Sequence, residues 1–438
     1  MKSGLRKLTI FTILTLLLLT ACSSNSSSGK DGNNKNGQNE ITLMVLSEWE
    51  DTMGKIIAKF EEQNPNIKVK LETHSFDGLF EAIEVKLGSE SDDYDVIAVD
   101  GPVIANYTVK GYLEPLDTYL EDGISEKWIP SSVEASTYDG KLMAAPMNTS
   151  SQVLFYNKDL FEKYGVEPPA YDTDKRWTWD QTVDAANKLT IDENGDGVTD
   201  VFGFTFEQVS RAYQILPLVQ GYGVKVLGES GLDVKGNFNS PEMVQAGEFY
   251  YNLFNKWKVS PKVDPLTSVE YFKSGDVAMF VGGTWNTVNF EGVNYGIAPH
   301  PYFEGEEAVT PTGSWHFGIP KFSNKKEEAA KLIEYLTVGE GADIWYELEG
   351  NLPSKKELLN EIETSEEYNE FPKTALKLGA YEAQNTAVTR PVSPGYSEFQ
   401  SVWLEVFENI KNGQKAEESI NNGAAKLESL IKKYESLK

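Results

Sequence analysis

The run Asp192-Glu193-Asn194-Gly195-Asp196-Gly197-Val198-Thr199-Asp200 sets oxygen-bearing side chains at places 1, 3, 5 and 9 with glycine at 6. That is the opening of a calcium-coordinating loop. Gly203 stands where such a loop carries its bidentate glutamate, so an EF-hand is unsupported. Two readings stay open: a structural calcium held by Asp192, Asn194, Asp196 and Asp200 with another carboxylate completing it, or an Asx-rich turn without metal. No other cofactor is required. His74, His300 and His316 are scattered, with none in a His-Glu-x-x-His arrangement, and Cys22 is the single thiol. Without a Gly-x-Ser-x-Gly elbow or a Gly-x-x-x-x-Gly-Lys loop, zinc, nucleophilic and nucleotide chemistries lack their usual residues, and the chain reads as a non-enzyme. Glycoside hydrolysis stays open, because it needs only two carboxylates about 5 to 9.5 Å apart.

The elements that would position such residues begin with Ile41 to Leu46, apolar enough for a buried strand. Ile56, Ile57 and Phe60 mark a helix face ended by Asn64-Pro65-Asn66, Ile67, Val69 and Leu71 alternate as a strand does, and Leu79, Phe80, Ile83 and Leu87 return to helical spacing. Asp95 to Val99 reads as a third strand. This alternation predicts a parallel sheet flanked by helices, whose ligands sit at the carboxyl ends of the strands, and Asp100 lies just past such an end. Near the C-terminus, Phe399, Val402, Trp403, Val406, Phe407 and Ile410 repeat at three and four before Gly413.

With 40 basic and 67 acidic residues the formal charge is −27, which would be repelled by phosphate backbones and excludes nucleic acid as a partner. Lys2, Arg6 and Lys7 precede an apolar run from Leu8 to Leu19, followed by Thr20-Ala21-Cys22. The pattern is that of an export signal, residues 1–22. A retained anchor is the other reading, but Leu8 to Ala21 is shorter than the roughly 20 residues that cross a bilayer. Small residues before the cysteine resemble the lipobox of bacterial lipoproteins, in which Cys22 is acylated. Residues 23–40 are Ser, Asn, Gly, Lys, Asp and Gln rich, a flexible tether with a reach of roughly 24 Å. The expected location is therefore extracytoplasmic, on the outer face of the cytoplasmic membrane of a Gram-positive cell. Roughly 400 residues remain, enough for two lobes, and with one cysteine they rely on packing rather than disulfides.

Several segments resemble family 1 solute-binding proteins of the maltose-binding type. They are Pro146-Met147-Asn148-Thr149-Ser150-Ser151 leading to Tyr156-Asn157-Lys158, Phe272-Lys273-Ser274-Gly275-Asp276-Val277-Ala278-Met279, Gly283-Thr284-Trp285, Val293-Asn294-Tyr295-Gly296, the helix from Glu327 to Leu336, and Arg390-Pro391-Val392-Ser393-Pro394-Gly395-Tyr396. The resemblance covers nearly the whole chain after the tether. It implies an α/β, two-lobe periplasmic-binding-protein-like fold (type II), each lobe a mainly parallel sheet flanked by helices. Expected boundaries are 41–148 with 297–336 for the N-terminal lobe, and 149–296 with 337–438 for the C-terminal lobe. It implies a monomer that captures a mono- or oligosaccharide and delivers it to an ABC permease driven by a cytoplasmic ATPase.

A sugar offers hydroxyls at its rim and C–H patches on its faces, so its site needs flat aromatics beside carboxylates, amides or guanidinium groups. By that resemblance the candidates are Glu48, Trp49, Asp100, Trp285, Trp315, Arg390 and Tyr396, with Asn148 and Ser151 on the crossover and Gln208 and Arg211 near a second-lobe helix. Trp285 and Trp315 could instead plug a core, and Arg390 could be a structural ion pair. A secreted glycosidase or a surface polysaccharide adhesin are the alternative functions.

Overall fold

The computed structural model describes residues 39–208, 211–313 and 315–437. The signal, Cys22 and the tether up to residue 38 lie outside the described residues. The chain enters its first sheet earlier than the composition suggests. Strand β1 (Asn39–Leu46) pairs in parallel with β2 (Ile67–His74), with Asn39 opposite Ile67 and Glu40 opposite Lys68. Backbone pairing, which polar residues support as well as apolar ones, overrides the tether composition at residues 39 and 40.

Helices Glu50–Gln63 and Phe76–Gly88 join β1, β2 and β3 (Val96–Asp100) as anticipated. Ser75 accepts from the Gly78 amide at the start of the second helix, a side-chain cap that fixes where Phe76 leaves the strand. A hairpin of β4 (Thr137–Tyr138) and β5 (Lys141–Leu142) turns through Asp139 and Gly140, whose φ values are 51° and 71°. Such turns favour Asp-Gly. The remaining strands are β6 (Ala145–Pro146), β7 (Gln152–Asn157), β8 (Thr205–Phe206), β9 (Met279–Gly283), β10 (Tyr295–Ala298), β11 (Thr310–Pro311), β12 (Trp315–Gly318) and β13 (Ala387–Val388).

One sheet has the order β2-β1-β3-β12-β6 and the other β10-β7-β9-β8, while β11 and β13 form a small parallel pair. Both large sheets are mixed rather than mainly parallel. In the first, β12 runs antiparallel to β3 and β6, and in the second β7 is antiparallel to both neighbours. The physical reason is the crossing itself. Strands β1 and β3 end where the lobes face each other, whereas a strand arriving from the other lobe begins there and must run the opposite way.

The boundaries also shift. Ile297, expected to open the return to the N-terminal lobe, lies in β10 of the second sheet, and Ala298 and Phe303 stay in the second core. The return comes at β12. Helix Glu340–Glu349, expected in the C-terminal lobe, packs Trp345 into the first core with its ring 5.1 Å from Trp49. The chain turns back at Gly339, against the last turn of helix Lys326–Thr337, before it crosses again.

Three crossing segments lie side by side. The Thr149 amide donates to the Leu352 carbonyl at 2.7 Å, Ser354 to Met147 at 3.2 Å, and Met147 to Trp315 at 2.9 Å. Thr149 and Thr312 hydroxyls meet at 2.9 Å, buried from water. Helices Tyr396–Lys411 and Ala416–Ile431 complete the second lobe, pressed so close at Gly423 that a Cβ would come within 2.3 Å of Val406. Only glycine allows that approach.

Candidate ligand-binding cleft

The crossing segments form the floor of a cleft of about 420 Å³, within the range of small-molecule sites. Its first wall comes from Glu48 and Trp49 beyond β1, Asp100 at the end of β3 and Trp315 at the start of β12. The facing wall carries Glu207 beyond β8, Arg211, Tyr213, and Trp285 beyond β9. Asn148, Thr149, Ser150, Gly313 and Asn351 line the floor, and Arg390 reaches it from the segment after β13.

Aromatic rings brace both walls. Trp315 is half-buried and stands edge-on to Trp49 at 5.1 Å and to Phe76 at 6.1 Å. Trp285 is 37% exposed, with its ring 5.7 Å from that of Tyr213. Its indole folds back over Gly283, where a Cβ would lie 2.2 Å from the ring, so the Gly-Gly-Thr-Trp sequence is a packing requirement. The Arg211 guanidinium carbon sits 4.3 Å from the Phe76 ring centroid, a cation–π contact made from one lobe to the other.

The floor is charged and hydrogen-bonded. Arg390 grips Asp100 with both nitrogens, at 2.7 and 3.4 Å, and the two side chains are only 7% and 14% exposed. Burial is the largest single influence and works against the Arg390 cation, but Asp100 and Tyr396 together, through charge and hydrogen bonds, outweigh it and hold the proton more firmly than usual. The Ser150 hydroxyl lies 3.0 Å from the Tyr213 hydroxyl and accepts from the Gly313 amide at 3.1 Å. Burial raises the Tyr213 phenol, keeping it neutral. Asn148 Oδ1 accepts from the Trp315 amide at 2.8 Å, which fixes where that indole starts.

Not every candidate reaches the cleft. Ser151 is fully buried, because in an extended segment it points opposite to Ser150. Gln208 is 1% exposed, and for the same reason faces away from Glu207, toward a separate hollow with Lys262, Asp264 and Lys411. Tyr396 opens its helix pointing into the second core, behind Arg390, whose guanidinium it supports. Neither of these three lines the cleft.

The Asp192–Asp200 loop is exposed, and its carboxylates accept from its own amides. Asp192 takes those of Gly195, Asp196 and Gly197 at 2.7 to 3.2 Å, and Asp200 takes that of Glu193 at 2.7 Å. Among the described residues no group of three or more His, Cys, Asp or Glu is placed to hold a metal.

Glu207, Tyr213 and Ser150 were not singled out from sequence. The signal for Glu207 was there, since Phe202, Phe204 and Phe206 alternate as a strand does and a carboxylate follows at its end.

Two α/β lobes, three crossings and one lined cleft define a two-lobe periplasmic binding protein. A family model described as bacterial extracellular solute-binding protein matches residues 47–342, and the chain belongs to that family. It is 24% identical over 417 residues to a maltodextrin-binding protein of Bacillus subtilis, covering 90% of this chain and 91% of that one. It is 28% identical over 280 residues to an sn-glycerol-3-phosphate-binding periplasmic protein of Brucella melitensis, covering 60% and 62%. An ABC substrate-binding protein of Listeria monocytogenes in complex with cycloalternan superposes with a TM-score of 0.74 at 25% identity, over 90% of this chain and 98% of that one.

Glu207 carries a cost. Burial pushes its carboxyl up, against the pull of Asn286 at 3.0 Å, the Gly283 amide, Trp285 and the charge of Arg211. A carboxyl whose folded pKa exceeds its unfolded value, about 4.3, loses stability as pH rises between the two, and the penalty is complete above the folded value. Glu207→Gln should therefore raise the melting temperature at neutral pH and leave it near wild type at about pH 4. Thermal unfolding at both pH values checks this; an equal change at each would mean that burial of the charge is not the cause.

Proposed function

We propose that this chain captures a mono- or oligosaccharide outside the cell and delivers it, chemically unchanged, to an ABC permease and its ATPase. The observation that carries this reading is the pairing of an aromatic wall on each lobe, Trp315 with Trp49 and Trp285 with Tyr213, around carboxylate, amide and guanidinium groups. Indole faces suit C–H patches, and the polar groups suit rim hydroxyls. The maltodextrin-binding relative and the cycloalternan complex support the choice of carbohydrate.

A ligand touching both walls favours the closed arrangement over the open one, which is all that closure requires. Moving the balance from about 1:99 to 99:1 takes roughly 5.5 kcal/mol of preference. A micromolar site supplies about 8.2 kcal/mol, so the requirement is within reach. The chain acts as a monomer in this reading, because one cleft is complete within it.

Calorimetry against di- to tetrasaccharides should give one-to-one binding, and a parallel reducing-sugar assay should show no turnover. Trp285→Ala should weaken that binding about tenfold or more, near 1.4 kcal/mol, with little change in melting temperature, since its ring is partly exposed. Turnover would favour a glycosidase, and binding to long polymers alone would favour an adhesin.

Attachment to the outer face of the cytoplasmic membrane of a Gram-positive cell, through acylated Cys22, is part of the same proposal. Its support is the charged, apolar and small-residue order of residues 2 to 22. Cys22→Ser should shift the protein from the membrane fraction to the medium, read by fractionation; retention on the membrane would remove the lipid anchor.

The Asp192–Asp200 loop serves in this reading as a turn locked by its own amides, and ligand capture needs no metal. Chelation with EDTA should leave melting temperature and affinity unchanged. A fall in melting temperature reversed by calcium would make the loop a structural calcium site.

A further inference from the structure

We infer that the cleft takes an uncharged polyhydroxylated ligand and rejects the anionic counterpart, because the Arg390 fork is already taken by Asp100 and carboxylates outnumber guanidinium groups in the lining. This rests on the carbohydrate reading above, and it is not settled by family, whose relatives named above include one for a maltodextrin and one for a phosphate ester.

An arginine recognises carboxylate or phosphate by offering two parallel N–H groups to two oxygens. At Arg390 both positions are filled by Asp100, with Nη2 to Oδ1 at 2.7 Å and Nη1 to Oδ2 at 3.4 Å. An incoming anion would have to displace that carboxylate and leave it buried without a partner, which is strongly unfavourable. Arg211 sits over the Phe76 ring with its guanidinium carbon 4.3 Å from the centroid, and it shares its wall with the Glu207 carboxylate, whose charge opposes an anion brought to that side.

The charges lining the cleft are three carboxylates, Glu48, Asp100 and Glu207, against two guanidinium groups. The local balance is negative, in a chain whose formal charge is −27. Glu48 is exposed at the cleft and has no ion-pair partner among the described residues. A carboxylate has about four acceptor directions. Asp100 spends two on Arg390, so the others remain for O–H donors. Hydroxyls are welcomed by this arrangement and negative oxygens are not.

Calorimetric titration of the full chain with probes that differ only in charge tests this. The pairs are maltotriose against maltotriose oxidised to a terminal uronate, and a galactosyl trisaccharide against its phosphate monoester, with sn-glycerol 3-phosphate as a third anion. The neutral member of a pair should bind at least about 30-fold more tightly at low salt, with the gap narrowing as salt screens the exposed charge of Glu48. Equal affinity for both members overturns the charge reading and leaves carbohydrate capture standing. Binding of sn-glycerol 3-phosphate with none of the saccharides overturns both. Asp100→Asn should raise the anion-to-neutral affinity ratio at least about tenfold by freeing the Arg390 fork. An unchanged ratio in folded variant would show that this pair does not set the preference, while the wild-type series needs no variant to fold.

Discussion

The cleft floor, and with it the placing of the two walls, depends on the hydrogen bonds that lay the three crossing segments side by side. Thr149 to Leu352, Ser354 to Met147, Met147 to Trp315 and the buried Thr149–Thr312 hydroxyl contact hold residues far apart in sequence as one ribbon. Buried backbone groups must find partners, so these segments cannot drift independently. Their register decides which residues face the cleft: Ser150 points in and Ser151 points out, and Asn148 fixes the first residue of β12. The same ribbon forces the mixed sheets, because each crossing delivers a strand that starts at the cleft beside strands that end there.

That geometry concentrates polar and charged groups where water is scarce, and the structure meets the cost in different ways. Asp100 and Arg390 neutralise one another, and a pair of this kind chiefly avoids a penalty rather than adding net stability. Among the described residues Glu207 has no such ion-pair partner, and its hydrogen bonds to Asn286 and Gly283 offset burial only in part. Stability is thus held below what an apolar or amide side chain would allow, at a position where a carboxylate can accept from a ligand.

Much of this was legible in the sequence. The strand–helix alternation from Ile41 to Val99 is strongly periodic, so β1 to β3 and the positions of Glu48, Trp49 and Asp100 at strand ends followed from local pattern. Trp285 was legible because Gly283-Thr284-Trp285 resembles a family segment, and Trp315 because it opens a strand. Parity was the weak point. Ser151 and Gln208 are each one residue from a cleft group, and in extended backbone one residue is the difference between cleft and interior. Tyr396 lay beyond sequence reasoning for another reason: a Pro-rich segment has no period, so nothing indicated that its chain turns into a helix just there. The lobe boundaries failed where a helix doubled back, since hydrophobic period reveals that helix Glu340–Glu349 is amphipathic but not which core receives it.

Contacts made directly between the lobes constrain how closure can work. Arg211 stacks on Phe76, and Asn106 of the first lobe donates to the Pro394 carbonyl at 2.6 Å and the Tyr434 hydroxyl at 3.2 Å. A ligand need not supply the whole preference for the closed arrangement, only the part these contacts leave over. Asn106 is 3% exposed, so parting the lobes there would exchange two buried hydrogen bonds for bonds to water and open the packing around them. Arg211 faces a milder choice, because its guanidinium leaves only a ring face and is rehydrated as it does so. The two contacts therefore divide the work: the Asn106 side resists separation, and the Arg211 side can yield to admit a ligand and re-form over it.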